Sequence, residues 1–294
     1  MTGHRATVGD RAPLFELPGP SGAVTRLDPV AHAASVVVFT ASGCPYALAW
    51  HDRLQEVARE YAACDVAVLQ VLSNDETDHP EDSLTGMAVR LAAGDVAGPF
   101  LRDADQAVAQ AYGATATPHV FVVDRDGLLR YSGALDGDHD DPGQRAGWLR
   151  AALDDLLAGR PVARPVTSPA GCSIKWRVEL LWWNGCPSRE EAAELVQRSL
   201  DELGRGEVHL VQREVRTRAD AARLGFPGSP TVQIGRRDLF PTDAPPSLTC
   251  RVYPRADGGR APLPAPADLT ERLRAALARP WDLPGWVDFR THTA

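Results

Sequence analysis

The chain of 294 residues reads as α/β, with two tandem domains that are each a mixed central sheet flanked by helices. Three observations carry that reading. One phrase is written twice, as Val36-Val37-Val38-Phe39-Thr40-Ala41-Ser42-Gly43-Cys44-Pro45 and as Val178-Glu179-Leu180-Leu181-Trp182-Trp183-Asn184-Gly185-Cys186-Pro187, each a strand that passes through Gly-Cys-Pro into a helical pattern. Each copy is followed by an X-Pro step that opens a hairpin, Thr117-Pro118 in the first and Ser229-Pro230 in the second. Between the copies, the stretch 159–171 replaces any apolar period with prolines and small residues, the mark of a connection. The length also suits two domains.

Taken in order, 9–17 is a strand and turn ahead of the first core. After Cys44, the positions Leu48, Leu54, Val57, Ala58 and Tyr61 share one face of a helix. Val66 to Leu72 is a buried strand ending in the acidic run Asp75 to Asp82. That run lacks the Asp-x-Asp-x-Asp-Gly spacing of a calcium loop and is expected to be solvated. Helices follow at about 83–93 and 104–112, and the run Val120 to Val123, the Asp126-Gly127 turn and Leu128 to Tyr131 make the first hairpin. A helix near 144–157 closes a domain spanning 1–158. A linker, 159–175, carries Cys172. The second domain, 176–279, repeats the pattern with a helix at 190–203, a strand at 208–215, a short helix at 219–224, the Ser229-Pro230 hairpin, a proline-rich crossing at 241–246 and a helix at 268–278. In the tail, 280–294, Trp281 and Trp286 are expected to fold back on a surface.

Composition narrows the function. A formal charge of -8 disfavours nucleic acid and anionic membranes as partners, and no apolar run approaches the roughly 20 residues of a membrane span. The N-terminus lacks the apolar region of a secretory signal, so a cytoplasmic protein is expected, in which cysteines stay free or are transiently oxidised. Five cysteines, an odd number with no Cys-x-x-Cys, argue against a disulfide framework and a closed zinc site. No metal or cofactor is implied.

The chemistry lies in the cysteines. Proline is tolerated at the first helical position, which puts Cys44 and Cys186 at or beside a helix N-cap, where unpaired amides and the positive dipole end favour thiolate. A free thiol near pKa ~8.5 falls to roughly 3.5–7.5 in such places. X-Pro is the common site of a cis peptide. Cys64, at a helix end, has no such context. Cys250 pairs with Cys186 only if their Cα atoms lie within about 7 Å.

Strand, Gly-Cys-Pro, helix, strand, helix, X-Pro, hairpin and helix is the order of the thioredoxin fold, and both halves resemble that superfamily. The first resembles peroxiredoxin-like alkyl hydroperoxide reductase and thiol-specific antioxidant (redoxin) proteins through Gly43-Cys44-Pro45-Tyr46, Ser73-Asn74-Asp75, Pro80-Glu81-Asp82-Ser83, Thr117-Pro118, Tyr131-Ser132-Gly133 and Gly171-Cys172-Ser173-Ile174-Lys175-Trp176. Ala116 and His119 stand where that branch carries a cysteine and an aspartate, which removes any mechanism through a middle cysteine. Peroxiredoxins also carry a proline ahead of the peroxidatic cysteine that 37–43 lacks. The second half resembles small thioredoxin-like proteins, some labelled alkylmercury lyase, through Trp183-Asn184-Gly185-Cys186-Pro187-Ser188 and Ser247-Leu248-Thr249-Cys250.

The resemblance implies a thiol-dependent oxidoreductase acting by thiol-disulfide exchange or peroxide reduction. Cys44 is then the nucleophile, Cys172 the candidate resolving thiol and the Cys186 domain a candidate electron relay. In this fold the cis-proline faces the cysteine. Backbone groups at Thr117 and Ser229, beside Pro118 and Pro230, would hold an incoming chain in extended form. His119 would lower the pKa of Cys44 as an imidazolium, take its proton as a neutral base, or simply face solvent. The expected partner is a thiol reductant or a protein disulfide client, and oligomeric state is not encoded. Two other classes stand open. One is a soft-metal or organomercurial thiolate protein using Cys186, Cys250 and Asp243; the other is a binding module that has lost its chemistry.

Overall fold

The structure is a computed structural model that describes residues 6–255 and 257–277; the tail at 280–294, with Trp281 and Trp286, lies outside them. The described residues fall into two compact units, 6–174 and 175–277. No helix among them is long and apolar enough to cross a membrane.

In the first unit a leading hairpin, β1 (Glu16–Pro18) and β2 (Val24–Arg26), precedes the central strand β3 (Ala34–Thr40). All seven residues of β3 are buried, which is why its β-branched run carries no polar alternation. It continues into α1 (Pro45–Ala49), α2 (His51–Ala62), β4 (Val66–Leu72), α3 (Leu84–Ala92), β5 (Phe100–Arg102), α4 (Ala107–Tyr112), β6 (Ala116–Thr117), β7 (His119–Asp124), β8 (Leu129–Gly133), α5 (Gly147–Leu157) and β9 (Cys172–Ser173). The main sheet runs β5-β4-β3-β7-β8, with β4 parallel to β3 and to β5, and β7 antiparallel to both neighbours. Val36, Val38, Trp50, Leu54, Val57, Val120, Val122 and Leu149 form one face of its core.

The expected single helix after Cys44 divides at Trp50, which caps both α1 and α2. Leu48 consequently leaves the apolar face and is 52% exposed, while Trp50 is drawn inward by its Nε1–H bond to Asp136 at 2.6 Å. Asp136 also pairs with Arg53 at 2.7 Å and accepts from the Ala146 amide. One buried carboxylate therefore ties the start of α2 to the loop before α5.

Residues 159–171, expected to be a loose connection, are strapped to the first unit. Ser132 donates its N–H to Pro165 and accepts from the Thr167 N–H, and the Thr167 hydroxyl meets Tyr131 and the Ala134 amide. Composition showed the absence of a helix or strand period there, but irregular backbone can be held by such bonds as firmly as an element.

The second unit comprises β10 (Arg177–Trp182), α6 (Arg189–Glu202), β11 (His209–Glu214), α7 (Arg218–Leu224), β12 (Thr231–Ile234), β13 (Arg237–Asp238), β14 (Tyr253–Pro254), β15 (Arg260–Ala261) and α8 (Pro266–Ala276). Its sheet runs β11-β10-β12-β13, with β10 parallel to β11 and antiparallel to β12. The shared pattern of both sheets is a central strand with a parallel partner on one side and an antiparallel hairpin on the other. Each carries its cysteine at the carboxyl end of that strand, where α/β sheets generally place their sites.

Candidate active site

Cys44 is the N-cap of α1, with Pro45 at the first helical position. The extended backbone of Cys44, φ -80° and ψ 120°, aims its side chain back over the helix end. The side chain is nearly enclosed, at 5% exposure, and packs with Ala41, Ala47, Tyr46 and Cys172.

Facing it is the cis peptide Thr117-Pro118, and beside that lies β9, with Thr117 opposite Cys172 and Ala116 opposite Ser173 in an antiparallel ladder. The ladder brings the two sulfurs together. As a thiol, Cys44 donates to the Thr117 carbonyl oxygen at 2.8 Å. As a thiolate, it accepts from the Cys172 thiol, then from the Thr117 hydroxyl and the N–H groups of Ala47 and Cys172. Burial opposes the charge, but the donors prevail and pull the thiol from 9.0 to about 6. Cys44 is then mostly thiolate at neutral pH, with a second thiol already in contact.

The loop before Cys44 is fixed by residues that sequence reading had assigned to solvent. Asp82 is fully buried; one carboxylate oxygen accepts the Ser42 N–H at 2.7 Å and the other the Asn74 amide at 2.9 Å. Glu81, paired with His79 at 3.2 Å, lies over Gly43, its Oε1 2.7 Å from where a Cβ would stand. The acidic run is thus a clamp on the Cys44 loop at its C-terminal end. Ser83, next in the chain, caps α3 by accepting from the Gly86 N–H, but nothing in the residue types of the run distinguishes a clamped carboxylate from a solvated one.

His119 serves neither of the roles offered to it as an acid or base. It is buried, not solvent-facing; its Nδ1 accepts the Thr115 N–H at 3.3 Å and its Nε2 meets the Ser132 hydroxyl at 3.2 Å. Burial holds its pKa down at about 3. A neutral ring with both nitrogens engaged is a core histidine that secures the hairpin.

The second unit uses the same motif differently. Ser188 takes the cap of α6, so Cys186 sits outside the helix, in a turn closed by its own N–H to the Trp183 carbonyl at 3.0 Å. Ser229-Pro230 is cis, and the Ser229 hydroxyl accepts the Trp183 N–H at 3.4 Å. Cys250 lies beside this peptide: Ser229 and Cys250 form a parallel bridge, with the Ser229 N–H on Thr249 and the Arg251 N–H on Ser229, both at 2.8 Å. Tyr253 donates to the Pro230 carbonyl at 2.6 Å. Burial raises its phenol, with Asp238 and a charge on Cys186 adding to the effect and Arg251 opposing it. Cys186 and Cys250 are free thiols, the first partly exposed and the second exposed, and Cys64 is exposed at the end of α2.

Among the described residues, the cluster of three potential metal ligands within 4.8 Å is Asp138, His139 and Asp140. Cys186, Cys250 and Asp243 are not gathered into such a group.

Residues 7–145 match the Redoxin family. A hypothetical protein from Sinorhizobium meliloti is 35% identical, covering 59% of this chain and 96% of its own, at a TM-score of 0.54. An uncharacterized conserved protein from Geobacillus kaustophilus is 38% identical, covering 58% of this chain and 92% of its own, also at 0.54. The peroxidoxin BcpB from Mycobacterium tuberculosis is 21% identical over 52% of this chain and 96% of its own, at 0.40. No curated protein matches the chain.

Proposed function

Since the chain belongs, through residues 7–145, to the redoxin family of thioredoxin-like proteins, we propose that it is a two-cysteine thiol oxidoreductase with Cys44 as nucleophile and Cys172 as resolving thiol. The observation that carries this reading is the contact of the two side chains, in which the Cys172 thiol is the largest stabiliser of the Cys44 thiolate. The Asp82 clamp and the Thr117 hydroxyl support it by fixing the loop and supplying a further donor.

Two oxidants fit the same sequence of bonds. With a hydroperoxide, the Cys44 thiolate attacks the terminal oxygen, the O–O bond breaks and the departing oxygen leaves as water or alcohol after protonation. The resulting sulfenic acid is attacked by Cys172, forming the S–S bond and releasing a second water that takes the Cys172 proton. With a disulfide, Cys44 displaces one thiolate, and Cys172 then displaces Cys44's new partner. Either way a Cys44–Cys172 bridge forms, and two electrons from an external thiol reductant restore the dithiol.

Intact-mass measurement with alkylation, before and after one equivalent of hydrogen peroxide, tests the assignment. A loss of two alkylatable thiols, mapped to Cys44 and Cys172, is expected. Five thiols that remain alkylatable would remove the proposal and favour a fold without redox chemistry.

A further inference from the structure

In a thioredoxin-like unit, the backbone edge before the cis-proline is where an extended chain would lie to present a sulfur to the nucleophile, and here that edge is filled from within. Thr117 pairs with Cys172 and Ala116 with Ser173, and the Ile174 N–H extends the contact to the Thr115 carbonyl at 3.3 Å. The approach is close enough that a Cβ on Gly171 would stand 2.2 Å from the Thr117 carbonyl oxygen, so glycine is required there. Upstream, residues 165–167 are bonded to Ser132 and Ala134, and Ala170 is buried. The segment is therefore held on both sides of the cysteine. The second unit closes the equivalent edge as well, with Thr249 and Arg251 bonded to Ser229.

We propose that the Cys172 strand is a built-in size filter: the reduced site is oxidised by small molecules that reach Cys44 past the strand and is closed to extended protein disulfides while β9 occupies Thr117. This rests on the reading of Cys44 as nucleophile. The strand occupies the place of a client and presents its own sulfur, so a protein disulfide must first displace a segment whose thiol is itself the competing partner. A macromolecular oxidant then reacts only through the fraction of molecules in which β9 has lifted.

The test uses the full reduced chain and three probes: hydrogen peroxide, bis(2-hydroxyethyl) disulfide and insulin. Formation of the Cys44–Cys172 bridge is followed by acid quench and mass mapping, and each rate is divided by that of the same probe with free glutathione. The small disulfide is expected to be favoured over insulin by about 30-fold or more, the scale on which a sparsely populated open state reduces apparent reactivity. Gly171→Val, which forces the strand from Thr117, is expected to bring the two disulfides to within about threefold by accelerating the insulin reaction. Near-equal normalised rates for the two disulfides in the wild-type chain would overturn the filter, as would an unchanged gap in a Gly171→Val protein whose circular dichroism matches wild type. If that variant does not fold, the wild-type ratio decides alone. Failure of all three probes to produce the bridge would instead remove the assignment of Cys44.

Discussion

The two units place the same tripeptide at the end of the same strand, and only one sets its cysteine at a helix N-cap. In the first, Tyr46, Ala47 and Leu48 come after Gly43-Cys44-Pro45 and the helix begins at once, so the Ala47 N–H reaches the sulfur. In the second, Ser188 comes after Gly185-Cys186-Pro187. The helix there starts only at Arg189, with Ser188 at the N-cap position and its side chain making no cap hydrogen bond, and Cys186 is left in a turn that uses its own N–H. The cysteine-bearing strands beside the cis-prolines differ too, antiparallel at Thr117 and a single parallel bridge at Ser229. A thiolate at a helix end thus depends on where the helix starts as much as on the cysteine before the proline.

The largest effect that would break this contrast is on turnover. Cys44→Ser is expected to lower dithiol-dependent turnover by at least roughly 1000-fold, as removal of a covalent nucleophile does, while Cys186→Ser stays within about threefold. Coupled consumption of hydrogen peroxide with dithiothreitol as donor measures both; comparable losses would make the units equal partners. The next effect is on titration. Iodoacetamide alkylation of Cys44 is expected to follow a thiolate with pKa about 6. In Cys172→Ala that midpoint moves up toward the ordinary value near 8.5, because the largest donor to the thiolate is gone. The sign carries to stability. The folded value lies below the unfolded one, so this contribution is present above pH ~9 and is lost as pH falls through about 6.

What the sequence revealed and what it concealed divide along the same line. Both strands, both X-Pro hairpins and the cap at Cys44 were legible because each is local: a β-branched run, a proline and a glycine act on their neighbours. Asp82 was concealed because its partners, Ser42 and Asn74, lie on other segments, and an acidic run looks alike whether solvated or clamped. The hold on residues 159–171 was concealed for a related reason, since side chain to backbone bonds such as those of Thr167 leave no period in the sequence. The different fate of Cys186 was concealed as well, because the same Gly-Cys-Pro precedes helices that start at different offsets, Pro45 in one and Arg189 in the other.

A smaller effect sharpens the comparison of the two loops. Asp82→Ala strands the part-buried Ser42 N–H and the buried Asn74 amide, and is expected to destabilise the first unit by about 2 kcal/mol. Amide exchange in β3 and β4 should report the loss while β10 stays unchanged, because nothing equivalent to Asp82 clamps the Cys186 turn among the described residues. Equal loosening in β10 would mean that the clamp belongs to the whole chain rather than to the Cys44 site.

The smallest effect compares the residues that precede the two cis-prolines. The Thr117 hydroxyl, which donates to the Cys172 carbonyl at 3.4 Å, is also a donor that lowers the Cys44 thiol, whereas the Ser229 hydroxyl accepts the Trp183 backbone N–H at 3.4 Å. Thr117→Val keeps the shape and removes the donor, so the alkylation midpoint of Cys44 should rise by less than in Cys172→Ala, in keeping with the order of the two donors. Ser229→Ala should leave the alkylation rate of Cys186 unchanged and destabilise the second unit by about 0.5 kcal/mol, the low end for a long hydrogen bond. The two hydroxyls occupy matched places in the repeated pattern, so the pair of variants isolates the use each unit makes of one position. A slower Cys186 in Ser229→Ala would show that the second hydroxyl also serves a thiolate, and the asymmetry between the units would then rest on the helix cap alone.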